Sequence, residues 1–281
     1  MKTASFRLVL AAAALAGSAG CIAYNEQCQG LVDNPDEVVG YIAAPVFLDK
    51  PNARHDNNAI GQMEADAFVD AFSDSSRKPD FGVVNGGGIR AEGLCVTRNI
   101  LPVGPLKKGV IHEILLFENL VKAVDLTEPE VVLMMEHSVE RLSPVGTPIV
   151  SPAGQFLQVS SAVQMQVDCS KPVGQRVTSL KIGNNTLAHP GDPAKKYRVA
   201  LTAFLLGGDG YSMLVAPAAD PSREPAQAQR LGGTDGNLTA DYMKRTYNKD
   251  QASGLKKDPN RVSFTGSDGG VTCAVPPAPA G

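Results

Sequence analysis

Three consecutive glycines, Gly86-Gly87-Gly88, follow directly on the apolar segment Phe81-Gly82-Val83-Val84. A short apolar run closed by glycines reads as a buried strand that turns sharply at its end. Glycine has no Cβ, so the turning backbone can come close to a ligand. The N–H groups of Gly87 and Gly88 are then expected to face an anion. Asn85 stands where it can brace the turn. Arg90, just beyond, offers a planar fork for a pair of phosphate oxygens. The plain alternative is a tight turn without a ligand. The stretch lacks the Gly-Lys-Ser/Thr ending of a P-loop and the Gly-x-Gly-x-x-Gly spacing of a dinucleotide fold.

Helix and strand signals alternate along the rest of the chain. Ile60, Met63, Ala67, Phe68 and Phe72 recur at helical spacing, predicting a helix from Asn58 to Phe72. A short helix is predicted over Val110–Leu115 and a strand over Leu120–Leu126. Val131, Met134, Met135, Val139 and Leu142 mark the inward face of a helix over Glu130–Leu142, with Pro129 near its start. Strands are predicted at Phe156–Val159, Val163–Val167, Val177–Ile182 and Tyr197–Leu201, with turns at Lys171-Pro172-Val173-Gly174 and Gly183-Asn184-Asn185. A helix over Asn237–Tyr247 and a strand over Arg261–Phe264 complete the series. Helices mixed with antiparallel strands make the class α+β. Arg176 and Lys181, on strands, read as solvated faces, and His137 as a structural helix residue.

The chain opens with Lys2 and Arg7, an apolar run from Leu8 to Ala16, then Gly17-Ser18-Ala19-Gly20-Cys21. This is the pattern of an export signal. Small residues directly before a cysteine resemble a bacterial lipobox, which makes Cys21 the expected site of lipidation and the mature N-terminus. Ser18 stands where that pattern usually has Leu, so ordinary cleavage nearby stays open. The expected organisation is residues 1–20 as signal, 21–37 as lipidated linker, 38–264 as one folded domain and 265–281 as a Gly/Pro-rich tail. About 240 residues outside the signal and tail suffice for one good-sized core. The expected location is the bacterial cell envelope, with membrane contact through the lipid alone. Removing Lys2 and Arg7 takes the formal charge from −3 to −5. A mildly acidic chain with no Trp and no basic block argues against nucleic acid as a partner.

Setting Cys21 aside leaves Cys28, Cys95, Cys169 and Cys273, an even number suited to an oxidising compartment. Cys28 and Cys273 flank the domain, and domain termini often lie close together. Cys95 follows the glycine turn and Cys169 ends a strand. The expected pairs are Cys28–Cys273 and Cys95–Cys169. No Cys-x-x-Cys spacing suggests zinc.

Further motifs follow the glycine turn in order: Leu116-Phe117-Glu118-Asn119, Met135-Glu136-His137-Ser138-Val139-Glu140-Arg141, Gly154-Gln155-Phe156-Leu157-Gln158-Val159-Ser160, and Phe204-Leu205-Leu206-Gly207-Gly208-Asp209-Gly210-Tyr211. This succession resembles the C-terminal, substrate-binding domain of the 5′-nucleotidase family, over about Val38 to Phe264. The resemblance implies a layered α/β/β/α domain with mixed sheets. It also implies a nucleoside or nucleotide ligand. Phe117 resembles the first ring of a base clamp and Asn119 the residue that meets the base edge. Asp209 resembles the ribose carboxylate, which can accept from both hydroxyls. Asn85, Gly87, Gly88 and Arg90 make the phosphate side, with Arg54 as a further phosphate candidate or a surface arginine. The second clamp ring is Phe204, one residue nearer Asp209 than the family pattern places it; Tyr211 and a core role for Phe204 are the alternatives.

The family's catalysis uses two divalent metals held by an N-terminal metallophosphoesterase domain. His55, His112, His137 and His189 are isolated, so no metal cofactor and no catalytic residue is expected in this chain. The expected role is the non-catalytic recognition half of a nucleotide phosphohydrolase, partnered by a separate metallophosphoesterase chain. The alternatives are a stand-alone envelope nucleoside-binding lipoprotein and a degenerate interaction module.

Overall fold

The computed structural model describes residues 32–90, 99–149, 154–208 and 210–276. The expected signal, Cys21, Cys28, Cys95 and Asp209 lie outside these residues. Thirteen strands and seven α-helices are formed among them. In chain order they are β1 (Val38–Ile42), β2 (Val46–Phe47), α1 (Lys50–His55), α2 (Ala59–Asp70), β3 (Phe81–Asn85), β4 (Ile100–Leu101) and β5 (Gly104–Lys107). There follow α3 (Lys108–Ile114), β6 (Val121–Thr127), α4 (Glu128–Val139), β7 (Leu157–Val159), β8 (Val163–Val167), β9 (Val177–Ile182), β10 (Asn185–Thr186) and β11 (Lys196–Thr202). The last are α5 (Ala203–Leu206), α6 (Val215–Ala219), β12 (Ala226–Gln227), α7 (Asp235–Thr246) and β13 (Val262–Ser263).

The class is α+β with mixed sheets. A five-stranded sheet runs β12-β6-β11-β3-β7. Its centre pairs β11 parallel to β3 and antiparallel to β6, so Val199 faces Phe81 on one side and Val124 on the other. A four-stranded sheet runs β10-β9-β8-β13. Phe81, Val83, Val124 and Leu126 of the first sheet share one core with Met165, Val167 and Leu180 of the second. Helix α4 inserts Val131, Met134, Met135 and Val139 into the same core. The alternate residues Val84, Ala123 and Ala200 pack against Ala65 and Phe68 of α2. Strand β3 is therefore buried on both faces, as its continuous apolar run requires. At Gly82 a Cβ would come within 2.3 Å of the Ala65 carbonyl oxygen, so α2 rides directly on the strand.

The predicted helices form with shifted ends. Asn58 caps α2 by accepting from Ile60 N at 3.0 Å. Helix α4 starts at Glu128 rather than Glu130, because Thr127 and Glu130 make a capping box, with Thr127 N donating to Glu130 Oε2 at 2.7 Å. It also ends earlier, for a reason that corrects the reading of Arg176. Arg176 is buried, and its Nη1 donates to the carbonyls of Val139, Glu140 and Leu142 at 3.1, 2.9 and 2.7 Å. A guanidinium supplies the donors that the last carbonyls of a helix lack. Lys181 is exposed, as expected.

The disulfide pairing is a second correction. The bond joins Cys169 to Cys273, not Cys28 to Cys273 or Cys95 to Cys169. After β13 the chain stays on the domain instead of leaving it. Thr272 N donates to Phe264 O at 3.0 Å, Cys169 N to Thr272 Oγ1 at 3.2 Å, and Ala274 N to Ser143 O at 2.7 Å. These bonds bring the two Cα atoms to 5.0 Å, within bridging range.

Candidate ligand-binding site

The C-terminal ends of β3 and β11 open on one cleft of about 750 Å³. Arg54, Asn85, Gly87, Gly88, Arg90, Phe117, Asn119 and Phe204 all line it. Asp209, flanked by Gly208 and Gly210, lies outside the described residues.

The glycine turn works differently from the expectation. Its N–H groups are committed inside the protein: Gly86 N donates to Phe156 O at 2.7 Å, Gly87 N to Gly154 O at 2.9 Å, and Gly88 N to Asn85 O at 2.8 Å. The missing Cβ atoms serve close packing instead. A Cβ on Gly86 would lie 2.2 Å from Ala53 O, and one on Gly87 would lie 2.9 Å from Gly154 Cα. The run is thus a seam that holds α1 and the 154–156 segment against β3. The guanidinium groups of the cleft are carried by residues next to that seam. Arg54, next to Ala53, reaches the Gly154 side of the cleft. Arg90 is tied down by its own N–H, which donates to Ile114 O at 3.0 Å.

Phe117 sits between α3 and β6, half exposed at 50%. The Arg90 guanidinium carbon stands 4.8 Å from its ring centroid, a cation–π contact. The loop's shape is set by Glu118, which takes a positive φ of 48° and meets His112 Nδ1 at 2.6 Å. Burial opposes ionisation of Glu118, but hydrogen bonds from His112 and Thr234 hold its carboxyl below its ordinary value.

Phe204 lies in α5, the single turn after β11, and is 44% exposed. Tyr211 is buried, donates its hydroxyl to Gln155 O, and meets His137 edge to face at 5.0 Å. Gln155 Nε2 in turn donates to His137 O at 2.7 Å. Tyr211 is therefore a buried lining residue of the cleft, backed by His137, while Phe117 and Phe204 line it as half-exposed rings. Two large exposed rings beside one cleft are unusual on a folded surface and mark a place where a flat group can stack.

Asn119 Nδ2 donates to Asp235 Oδ2 at 3.1 Å. Asp235 starts α7 and is buried; burial first, then the nearby Glu118 charge, pushes its carboxyl up to about 6 against the hydrogen bonds from Asn119 and Gly236. Glu64 of α2, also buried, is raised well above the carboxylate range by burial and by the Asp235 charge.

The cleft wall also contains Arg141, Gly154, Gln155, Leu205, Gly210 and Tyr211. All belong to motifs visible in the sequence, but of them only Tyr211 is a candidate from the sequence, as an alternative second ring. Among the described lining residues there are three arginines and no carboxylate. Among the described residues no group of three or more His, Cys, Asp or Glu side chains is placed to hold a metal ion, so a two-metal centre does not fit them. The chemistry on view is stacking, an amide and guanidinium groups.

The pattern of the 5'-nucleotidase, C-terminal domain, matches residues 38–216. An apyrase from Tabanus yao is 28% identical over 71% of this chain and 34% of its own length. A trifunctional nucleotide phosphoesterase protein from Bacillus subtilis is 26% identical over 78% of this chain and 13% of its own. A 5'-nucleotidase precursor from Thermus thermophilus has the same fold, with a TM-score of 0.63 and 23% identity over 81% of this chain and 39% of that one. The chain thus spans about a third of the apyrase's length and a smaller share of the phosphoesterase's.

Proposed function

Since the chain belongs to the 5′-nucleotidase C-terminal domain family, we propose that its cleft recognises a nucleoside monophosphate. The base stacks between Phe117 and Phe204, with its edge on Asn119. Asp209 takes the ribose hydroxyls, and Arg54 and Arg90 take the phosphate. The observation that carries this reading is the pair of half-exposed phenylalanine rings beside arginines on a single cleft. Rings on both faces of a base contribute on the order of 1–3 kcal/mol each. Guanidinium groups supply the charge and the forked donors that a phosphate needs.

The role proposed is recognition without catalysis. The two divalent metals of the family's chemistry would be held by a metallophosphoesterase domain supplied from elsewhere. Lipid on Cys21 would keep the protein at an envelope membrane. Calorimetric titration with adenosine and AMP tests the recognition. Both are expected to bind, AMP more tightly, and AMP is expected to stay intact with added divalent cation. Absence of binding, or metal-dependent release of phosphate by this chain alone, overturns the reading. For the anchor, Cys21→Ala is expected to move the protein into the soluble envelope fraction.

A further inference from the structure

The loop that carries Asn119 is locked to the start of α7. Asp235 N donates to Asn119 O at 2.9 Å, and Leu120 bridges Thr234. Gly236 lies so close that a Cβ there would come within 2.8 Å of His112 Nδ1 and 2.9 Å of Glu118 Oε1. Within this joint the Asp235 carboxylate has both oxygens engaged. Oδ1 accepts from Gly236 N at 2.7 Å and Oδ2 from Asn119 Nδ2 at 3.1 Å. An ionised carboxylate only accepts, so it selects the NH₂ side of the amide; the reverse orientation would set two acceptors face to face. Among the described residues no donor reaches Asn119 Oδ1, and Asn119 lines the cleft.

We propose that Asp235 is a positioning residue that fixes the Asn119 amide with its carbonyl oxygen free for the ligand. The site then favours a base that presents an N–H donor to Asn119. This inference rests on the nucleoside reading above and adds the direction of the hydrogen bond to it. The groups that face Asp235 are Glu64 from α2, and Glu118 with its partner His112 from α3 and the loop after it. Among the described residues none of these side chains makes a hydrogen bond or ion pair to Asp235, whose carboxylate partners are Asn119 and Gly236.

The test compares adenosine with purine riboside, which has the same ring and sugar but no N–H on the base. The wild-type protein at pH 7.5 is expected to bind adenosine about three- to tenfold more tightly, the span of one net hydrogen bond. In Asp235→Asn the amide can turn over, and the ratio is expected to fall toward one. Phe117→Ala is expected to weaken both ribosides alike and leave the ratio in place. A second readout needs no folded Asp235 variant. The Asn119 side-chain NH₂ signal, assigned by its loss in Asn119→Ala, is expected to shift between about pH 5 and 7 as Asp235 changes charge. Equal binding of both ribosides by the wild type, a ratio unchanged in a folded Asp235→Asn, or an NH₂ signal that stays put would each overturn the inference. Failure of the wild type to bind either riboside would overturn the nucleoside reading itself.

Discussion

Asp235 is held at a cost to stability. Burial raises its carboxyl from an ordinary 3.8 to about 6, so the folded protein binds that proton more tightly than the unfolded chain does. Stability is therefore fully present below about pH 4, declines as pH rises toward 6, and stays lowered above it. Asp235→Asn is expected to be more stable than wild type at pH 7.5, by about 1–3 kcal/mol, and equal to it at pH 4. Urea unfolding at the two pH values measures this. On the proposed reading the carboxylate serves binding at this cost, a trade common at functional sites. The rings and arginines divide differently. Phe117→Ala is expected to cost about 1–3 kcal/mol of affinity for both adenosine and AMP, because it removes a stacking face. Arg90→Ala is expected to weaken AMP more than adenosine in the same titration. Phe117 and Asn119 were legible only through the family resemblance of the motifs around them, and Arg90 through its place after the glycine turn; all three line one cleft. Asp235 left no such mark, since an acid at the start of a helix is ordinary.

Helices were legible where their apolar spacing is local. Val131, Met134, Met135 and Val139 are all buried on one face of α4, as their periodicity requires. Ends were less legible, because they depend on partners far along the chain. The carbonyls that stop α4 are taken by Arg176, which follows them by 34 to 37 residues. Arg176→Met is expected to leave those buried carbonyls without donors and to destabilise the fold by about 2–4 kcal/mol in urea unfolding. Loss below a few tenths would mean that water replaces the guanidinium. The glycine turn shows the same division at the level of one element. Its sharpness was readable from three glycines in a row. Its use was not, because Ala53 and Gly154 approach it only after the sheet has formed.

At the scale of the molecule the tail is the part least visible in the sequence. Its glycines and prolines suggest a segment without a core and Cys273 alone suggests that part of it is pinned; the structure buries Cys273 and bridges Thr265 to Val271. The bridge to Cys169 closes a span of 104 residues that takes in β9, β11 and α7. Cys273→Ala is expected to lower stability by about 2–4 kcal/mol, seen as a lower urea midpoint that wild type matches only after reduction. The glycine seam has a last consequence. With the N–H groups of Gly86, Gly87 and Gly88 spent on neighbouring carbonyls, the seam itself offers a phosphate no backbone donor, and on the proposed reading the attraction for one comes from guanidinium groups near solvent. Such attraction is shielded by dissolved ions, whereas stacking is not. The advantage of AMP over adenosine should shrink as ionic strength rises from about 0.1 M toward 1 M, while the affinity for adenosine holds nearly constant.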